Sequence, residues 1–208
     1  MNINISDNNA LRNALIQLFL DKSVKFGDFT LASGKKSDFF VDCKQSILSA
    51  EGHFVTGHLL INELIRHFPT VQAVAGVALG GCSLASAVSL LSLDEFNPGL
   101  GALYVRKERK DHGSTQLVEG MGSVPYGAKV VLLEDVCTTG GSSLKSIEIL
   151  RSVGYEVLGV ISLVDRLDGA QAIFDAAAVQ YHSIMTKDDL RLRHNNGNIV
   201  NLFDTRDT

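Results

Sequence analysis

An α/β fold, with a central and mainly parallel sheet flanked by helices, is predicted by three features of the sequence. Short apolar runs recur at 71–79, 101–105, 129–135, 157–165 and 176–185, each of strand length. Stretches with helical spacing stand between them, as βαβ units require. Runs such as VQAVAGVAL (71–79) are continuously apolar, the pattern of strands buried on both faces.

Each element can be placed in turn. Residues 8–22 set Leu11, Leu15, Leu18 and Phe19 on one helical face. Residues 26–44 read as a loop and an edge strand, with Ser33-Gly34 turning and Phe39-Phe40-Val41 extended. A second helix over 50–68 stops before Pro69. The strand at 71–79 is bounded by Gly80-Gly81, and 82–92 is its helix. The strand at 101–105 precedes a charged, glycine-containing stretch that reaches residue 127. The strand at 129–135 is followed by a helix over 142–153, the strand at 157–165 comes next, and the strand at 176–185 ends in a short helix. Pro69, Pro98 and Pro125 each lie near a boundary.

The 208 residues suit a single domain, 1–208, with a substantial core. A formal net charge of -4 argues against nucleic acid as the main partner, since phosphate backbones are met by a basic surplus. The first ten residues are polar, unlike a secretory leader, and no apolar run reaches membrane-spanning length. Cys43, Cys82 and Cys137 are too few and too scattered for a disulfide framework or a zinc site. A soluble, cytoplasmic protein with neither membrane nor nucleic-acid partners is expected.

The stretch VVLLEDVCTTGGSS (130–143) carries the chemistry. A buried strand ends in Glu134 and Asp135 and enters a loop of hydroxyls and glycines before a helix. Glycines let backbone approach a ligand closely, and the helix N–H groups join the hydroxyls as an anion cradle. Carboxylates accept hydrogen bonds from vicinal hydroxyls, so a ribose 5-phosphate would fill both halves. Neither GxxxxGK[ST] nor GxGxxG is present. The generic alternative is a strand–turn–helix junction capped by Ser142 or Ser143. Ligands of such sheets sit at the carboxyl ends of strands, where this motif lies.

The motif resembles the phosphoribosyl-diphosphate (PRPP) signature of type I phosphoribosyltransferases. That resemblance implies their fold, with a small hood built from about residues 1–45 and the C-terminal segment. It implies that Glu134 and Asp135 hold the ribose hydroxyls. It also implies that Thr138, Thr139, Gly140, Gly141 and Ser142 grip the 5-phosphate, with Val136 and Cys137 in the same PRPP-binding stretch. Cys137 stands where an aliphatic residue is usual and reads as a small buried hydrophobe.

Three further stretches resemble the orotate phosphoribosyltransferases. YVRKERKDHG (104–113) is similar to their mobile catalytic loop. The resemblance puts Arg106, Lys107, Lys110 and His112 on the diphosphate or transition state, Lys107, Lys110, His112 and Asp135 being the catalytic set. FGDFTLASGKKSDFFVDCK (26–44) is similar to their base-side segment, where the backbone near Phe39–Val41 bonds the pyrimidine edge and an aromatic ring covers it; the resemblance puts Phe39, Phe40 and also Thr138 on orotate. ISLVDRLDGA (161–170) places Arg166 where the family meets the substrate carboxylate, and the planar guanidinium fork suits that task. GVALGG (76–81) lies at the family's diphosphate loop, often a strained peptide. Some members carry lysines where Ala32 and Gly80 or Gly81 stand here, which leaves the diphosphate contacts open.

The implied reaction joins orotate and PRPP to give orotidine 5′-monophosphate and diphosphate, a step toward UMP. Mg²⁺ is implied, held mainly through PRPP and not by protein ligands, and so is a homodimer that shares the catalytic loop. The alternatives are a transferase for a purine or uracil, and a PRPP-sensing regulator that binds nucleic acid. A fused synthase would need chain beyond residue 208.

Overall fold

The computed structural model describes residues 3–30, 34, 36–106 and 117–196. The carboxylate of Asp7 accepts from the N–H groups of Asn9 and Ala10 and so caps helix α1 (Asn8–Lys22). The chain then forms a hairpin, β1 (Val24–Thr30) antiparallel to β2 (Lys36–Val41). A single turn, α2 (Lys44–Ile47), leads to Ser49, whose hydroxyl accepts from Gly52 N–H at the start of α3 (Ala50–His67). Next come β3 (Ala73–Val77), α4 (Gly80–Leu91), β4 (Gly101–Val105) and the two-residue β5 (Val118–Glu119). The second half is β6 (Lys129–Cys137), α5 (Gly141–Ser152), β7 (Glu156–Asp165), α6 (Ala170–Ala176), β8 (Gln180–Thr186) and α7 (Lys187–Asn195).

The main sheet has the order β5-β4-β3-β6-β7-β8. Only β5 is antiparallel to its neighbour; the other pairings are parallel, as predicted. The continuous apolar runs divide by alternation. Ala73, Ala75, Val77, Val130 and Leu132 face α5 and α6 through Ile147, Leu150 and Phe174. Val74, Val131 and Leu133 face α1, α3 and α4 through Leu15, Leu60 and Leu84. A strand with helices on both faces thus needs apolar residues at both phases of its two-residue period.

Three expectations change. The extended stretch in 26–44 is not an edge of the central sheet but half of the separate β1–β2 sheet. The run 176–185 is not all strand: Ala176 ends α6, Ala178 turns with φ 51°, and β8 begins at Gln180. Consecutive alanines favour helix, and the apolar count concealed that preference. β5 was not foreseen, since two residues carry no periodic signal.

Arg12 joins three elements at the outer side of β8. Its Nε donates to the Ile184 carbonyl at 2.9 Å, and its guanidinium lies 2.9 Å from the Asp189 carboxylate on α7. Asp189 also completes a capping box with Thr186. Among the described residues no helix is long and apolar enough to cross a membrane.

Candidate active site

The carboxyl ends of β3, β6 and β7 meet on one side of the sheet. Parallel pairing sets Cys137 opposite Asp165, so the Thr-Gly loop and Arg166 start side by side, and Arg166 N–H donates to the Cys137 carbonyl at 3.0 Å.

After β6 the chain turns through Thr138 and Thr139, both exposed, to Gly140. Gly140 has φ 80°, which a side chain would strain, and it is the N-cap of α5. No side chain caps this helix. The generic alternative, in which Ser142 or Ser143 is the cap, therefore fails. The hydroxyl of Ser143 instead donates to Glu134 Oε2 at 2.9 Å, in a buried contact. The first N–H groups of α5 are left to an exogenous anion, beside two exposed threonines.

The two acids diverge. Glu134 is buried and turned to Ser143, inside the cradle's own framework. Asp135 points to the β3–α4 junction, where a Cβ built on Gly80 would lie 2.0 Å from Asp135 Oδ2. A Cβ on Gly81 would come within 2.5 Å of the Leu133 carbonyl oxygen. The positions at which some relatives carry lysine are thus filled here by strand backbone and by Asp135 itself. The peptide joining Ala78 to Leu79 is cis.

Beyond the loop lies a cleft of about 980 Å³. Of the predicted residues, Thr138, Thr139 and Arg166 line it. Phe39 does not: its ring is fully buried, 6.0 Å beneath the Arg166 guanidinium and 5.7 Å from Phe26. Phe40, one residue on, faces the other way and packs on Phe29 at 5.8 Å. Strand alternation gives β2 one inward aromatic and one outward, so the pair cannot both cover a base. The cleft aromatic is Phe29.

Arg166 is held by two neighbours. Its Nη2 donates to Ser37 Oγ at 3.3 Å and its Nε lies 3.5 Å from Asp168. Arg106 lies 3.8 Å from Glu119 on β5, and its N–H donates to the Leu117 carbonyl. Lys107, Lys110, His112 and Ala32 lie outside the described residues. Cys137 is buried, and desolvation pushes its thiol up to about 11, as befits an inert hydrophobe.

Asp28, Phe29, Lys36, Ser37 and Asp38, in the segment expected on the base side but not singled out there, also line the cleft, as do Asp168 and Lys187, which residue patterns alone missed. The Thr186…Asp189 capping signature places Lys187 directly beyond a strand's carboxyl end, a signal that could have found it.

The family profile for the phosphoribosyl transferase domain matches residues 57–185. An orotate phosphoribosyltransferase of Sorangium cellulosum is 52% identical over 178 residues, 86% of this chain and 92% of that protein. The solved orotate phosphoribosyltransferase of Aeropyrum pernix superposes with a TM-score of 0.71 at 35% identity, over 85% of this chain and 94% of that one. The Mycobacterium tuberculosis orotate phosphoribosyltransferase in complex with PRPP gives 0.70 at 30%, covering 87% of this chain and 99% of its own.

Proposed function

The chain belongs to the phosphoribosyl transferase family, in its orotate phosphoribosyltransferase branch, and on that premise we propose how its residues divide the reaction. It transfers the phosphoribosyl group of PRPP to orotate, giving orotidine 5′-monophosphate and diphosphate in UMP synthesis.

The 5-phosphate docks on the uncapped start of α5, against Thr138, Thr139 and the 140–142 backbone. The observation that carries this assignment is the helix end without a side-chain cap. Asp135 and Glu134 receive the ribose hydroxyls, with Ser143 fixing the Glu134 carboxylate. Orotate lies toward β7, its carboxylate on the Arg166 fork and its ring near Phe29 and the β2 backbone. A partly buried arginine held from two sides selects a pyrimidine that carries a carboxylate over uracil.

As the C1–O bond breaks, the sugar gains oxocarbenium character and charge grows on diphosphate. Arg106, Lys107 and Lys110 neutralise that growing charge, which favours the transition state over the ground state. His112 donates a hydrogen bond or proton to the leaving oxygen. Among the described residues, no three His, Cys, Asp or Glu side chains gather to hold a metal. That fits Mg²⁺ carried by the oxygens of PRPP, an oxygen-preferring ion that would need no cage of protein ligands here. When bound, the ion offsets diphosphate charge.

The protein works in the cytoplasm as a homodimer, its 106–113 loop serving the partner's site. Exposed Leu90 and Leu93, at and just beyond the end of α4, offer apolar side chains for that association.

The test mixes protein, PRPP, Mg²⁺ and orotate and follows loss of orotate absorbance, with uracil, hypoxanthine and adenine in parallel. Orotate alone is consumed, EDTA stops the reaction, and Lys110→Ala slows it on the order of 10²–10³-fold. Equal use of uracil would remove Arg166 from its assigned role.

A further inference from the structure

We propose that the Asp38–Arg191 ion pair latches the β1–β2 hairpin onto α7 and thereby sets the shape of the base pocket. Arg191 is then a positioning residue for the pyrimidine and not for PRPP. The inference rests on Arg166 and its surroundings being the orotate subsite.

The hairpin has no hydrogen-bonded place in the main sheet. Its ends join α1 and α2, and among the described residues side-chain contacts hold it over the cleft. On α7, Arg191 reaches Asp38 Oδ2 at 2.8 Å. The same guanidinium lies 5.7 Å above the Phe26 ring, and His194 rests on the other part of that ring at 4.6 Å. One helix thus holds β1 by an aromatic ring and β2 by a carboxylate. The Arg191 hydrogen bond, with the charges of Arg191 and Lys187, holds the Asp38 carboxyl below its ordinary range.

α7 is a firm anchor. The Thr186–Asp189 capping box fixes its start, and Arg12 ties Asp189 to α1. Its first residue, Lys187, lines the cleft.

The latch bears on Arg166 through neighbours in β2. Asp38 lies between Ser37, which accepts from Arg166 Nη2, and Phe39, which underlies the same guanidinium. In a strand, displacing one residue carries both neighbours with it. Losing the latch therefore loosens two of the contacts that orient the orotate-binding arginine. The 5-phosphate cradle belongs to β6 and α5, which the latch does not touch.

The pair is partly solvated, with side-chain exposures of 37% for Arg191 and 61% for Asp38. A modest effect follows, with KM for orotate rising roughly three- to tenfold in Arg191→Ala. Both substrates would be varied on the full chain, for wild type, Arg191→Ala, Arg191→Lys, Asp38→Asn and the double variant. In Arg191→Ala, kcat and KM for PRPP stay within about twofold. Arg191→Lys falls between, keeping the charge but losing the planar stack on Phe26. The double variant is no worse than the poorer single one. Raising salt from roughly 0.05 to 0.5 M raises the wild-type orotate KM by a larger factor than that of Arg191→Ala, because only wild type has the latch to lose on top of the screened contact between orotate and Arg166. Melting curves accompany each variant, and Arg191→Gln, which keeps the length and polarity of the side chain but not its charge, carries the test if Arg191→Ala unfolds. An unchanged orotate KM, or equal losses for both substrates, overturns the latch while the assigned reaction stands. Wild-type protein that ignores orotate overturns the reaction and the latch together.

Discussion

Gly80→Ala separates geometry at the sugar site from stability. The added Cβ would lie 2.0 Å from Asp135 Oδ2, 2.2 Å from its Cγ and 2.7 Å from Oδ1. Real Cβ atoms essentially never come within 3.0 Å, so the carboxylate must retreat by about 1 Å or swing to another rotamer. The fold tolerates this. Position 80 opens α4, where alanine is preferred over glycine by about 0.5–1 kcal/mol. Displacing Asp135 from its rotamer costs about 0.5–1.5 kcal/mol, so the melting temperature changes little. Catalysis does not tolerate it, because a 1 Å misplacement of a positioning group costs on the order of 10²-fold. Steady-state assays of orotate loss with PRPP varied would show kcat/KM for PRPP falling by about that factor. The reasoning would be refuted by a stable Gly80→Ala protein with wild-type kcat/KM for PRPP. Gly76→Ala is the contrasting case, since its Cβ would meet the Gly81 carbonyl oxygen at 2.0 Å and Cys82 N at 2.7 Å. Backbone cannot rotate aside, and a stability loss of about 1–3 kcal/mol should appear as a melting shift of several degrees.

Other outcomes are open to direct measurement. Ser143→Ala removes the 2.9 Å donor from buried Glu134 and should raise KM for PRPP by about tenfold, with orotate KM unchanged. Burial first, then the charges of His67 and Arg66, hold His182 below the ordinary imidazole value of 6.5, against the pull of Glu63. The unfolded chain therefore binds this proton first: His182 contributes stability above pH 6.5 that is lost as pH falls through the depressed value. Denaturant melts between neutral and mildly acidic pH should record that decline, and His182→Gln should flatten it; an unchanged slope contradicts the assignment. Cys43 and Cys137 are buried with raised thiol pKa values, so alkylation near neutral pH should label Cys82 far ahead of both until the protein is unfolded.

Much of this was legible in the chain because parallel sheets write themselves plainly. Continuous apolar strands such as 71–79 and 129–135, each followed by an amphipathic helix, leave few other architectures. The phosphate cradle was legible for the same local reason: acids, hydroxyls and glycines lie within one turn of chain. What sequence withheld depends on three-dimensional partners. Phe39 and Phe40 look equivalent in sequence, yet β2 buries the first under Arg166 and turns the second to Phe29. Lys187 and Asp28 are far apart in the chain and line one cleft only because the fold brings the hairpin to the end of β8. Ser142 and Ser143 resembled caps, but Gly140 took that position once Ser143 was drawn to Glu134.

The unequal edges of the main sheet bear on how this protein keeps to itself at high concentration. On one side, β5 has two residues, too short a template for a second chain to zip onto. On the other, β8 has seven, a longer row of backbone groups with a free side for a second chain to pair with. Arg12 blunts that side by taking up the Ile184 carbonyl while bringing a charge to the rim. Selection for solubility therefore bears on Arg12 with no reference to chemistry, and its loss would be felt first as precipitate in the tube and only later as missing product.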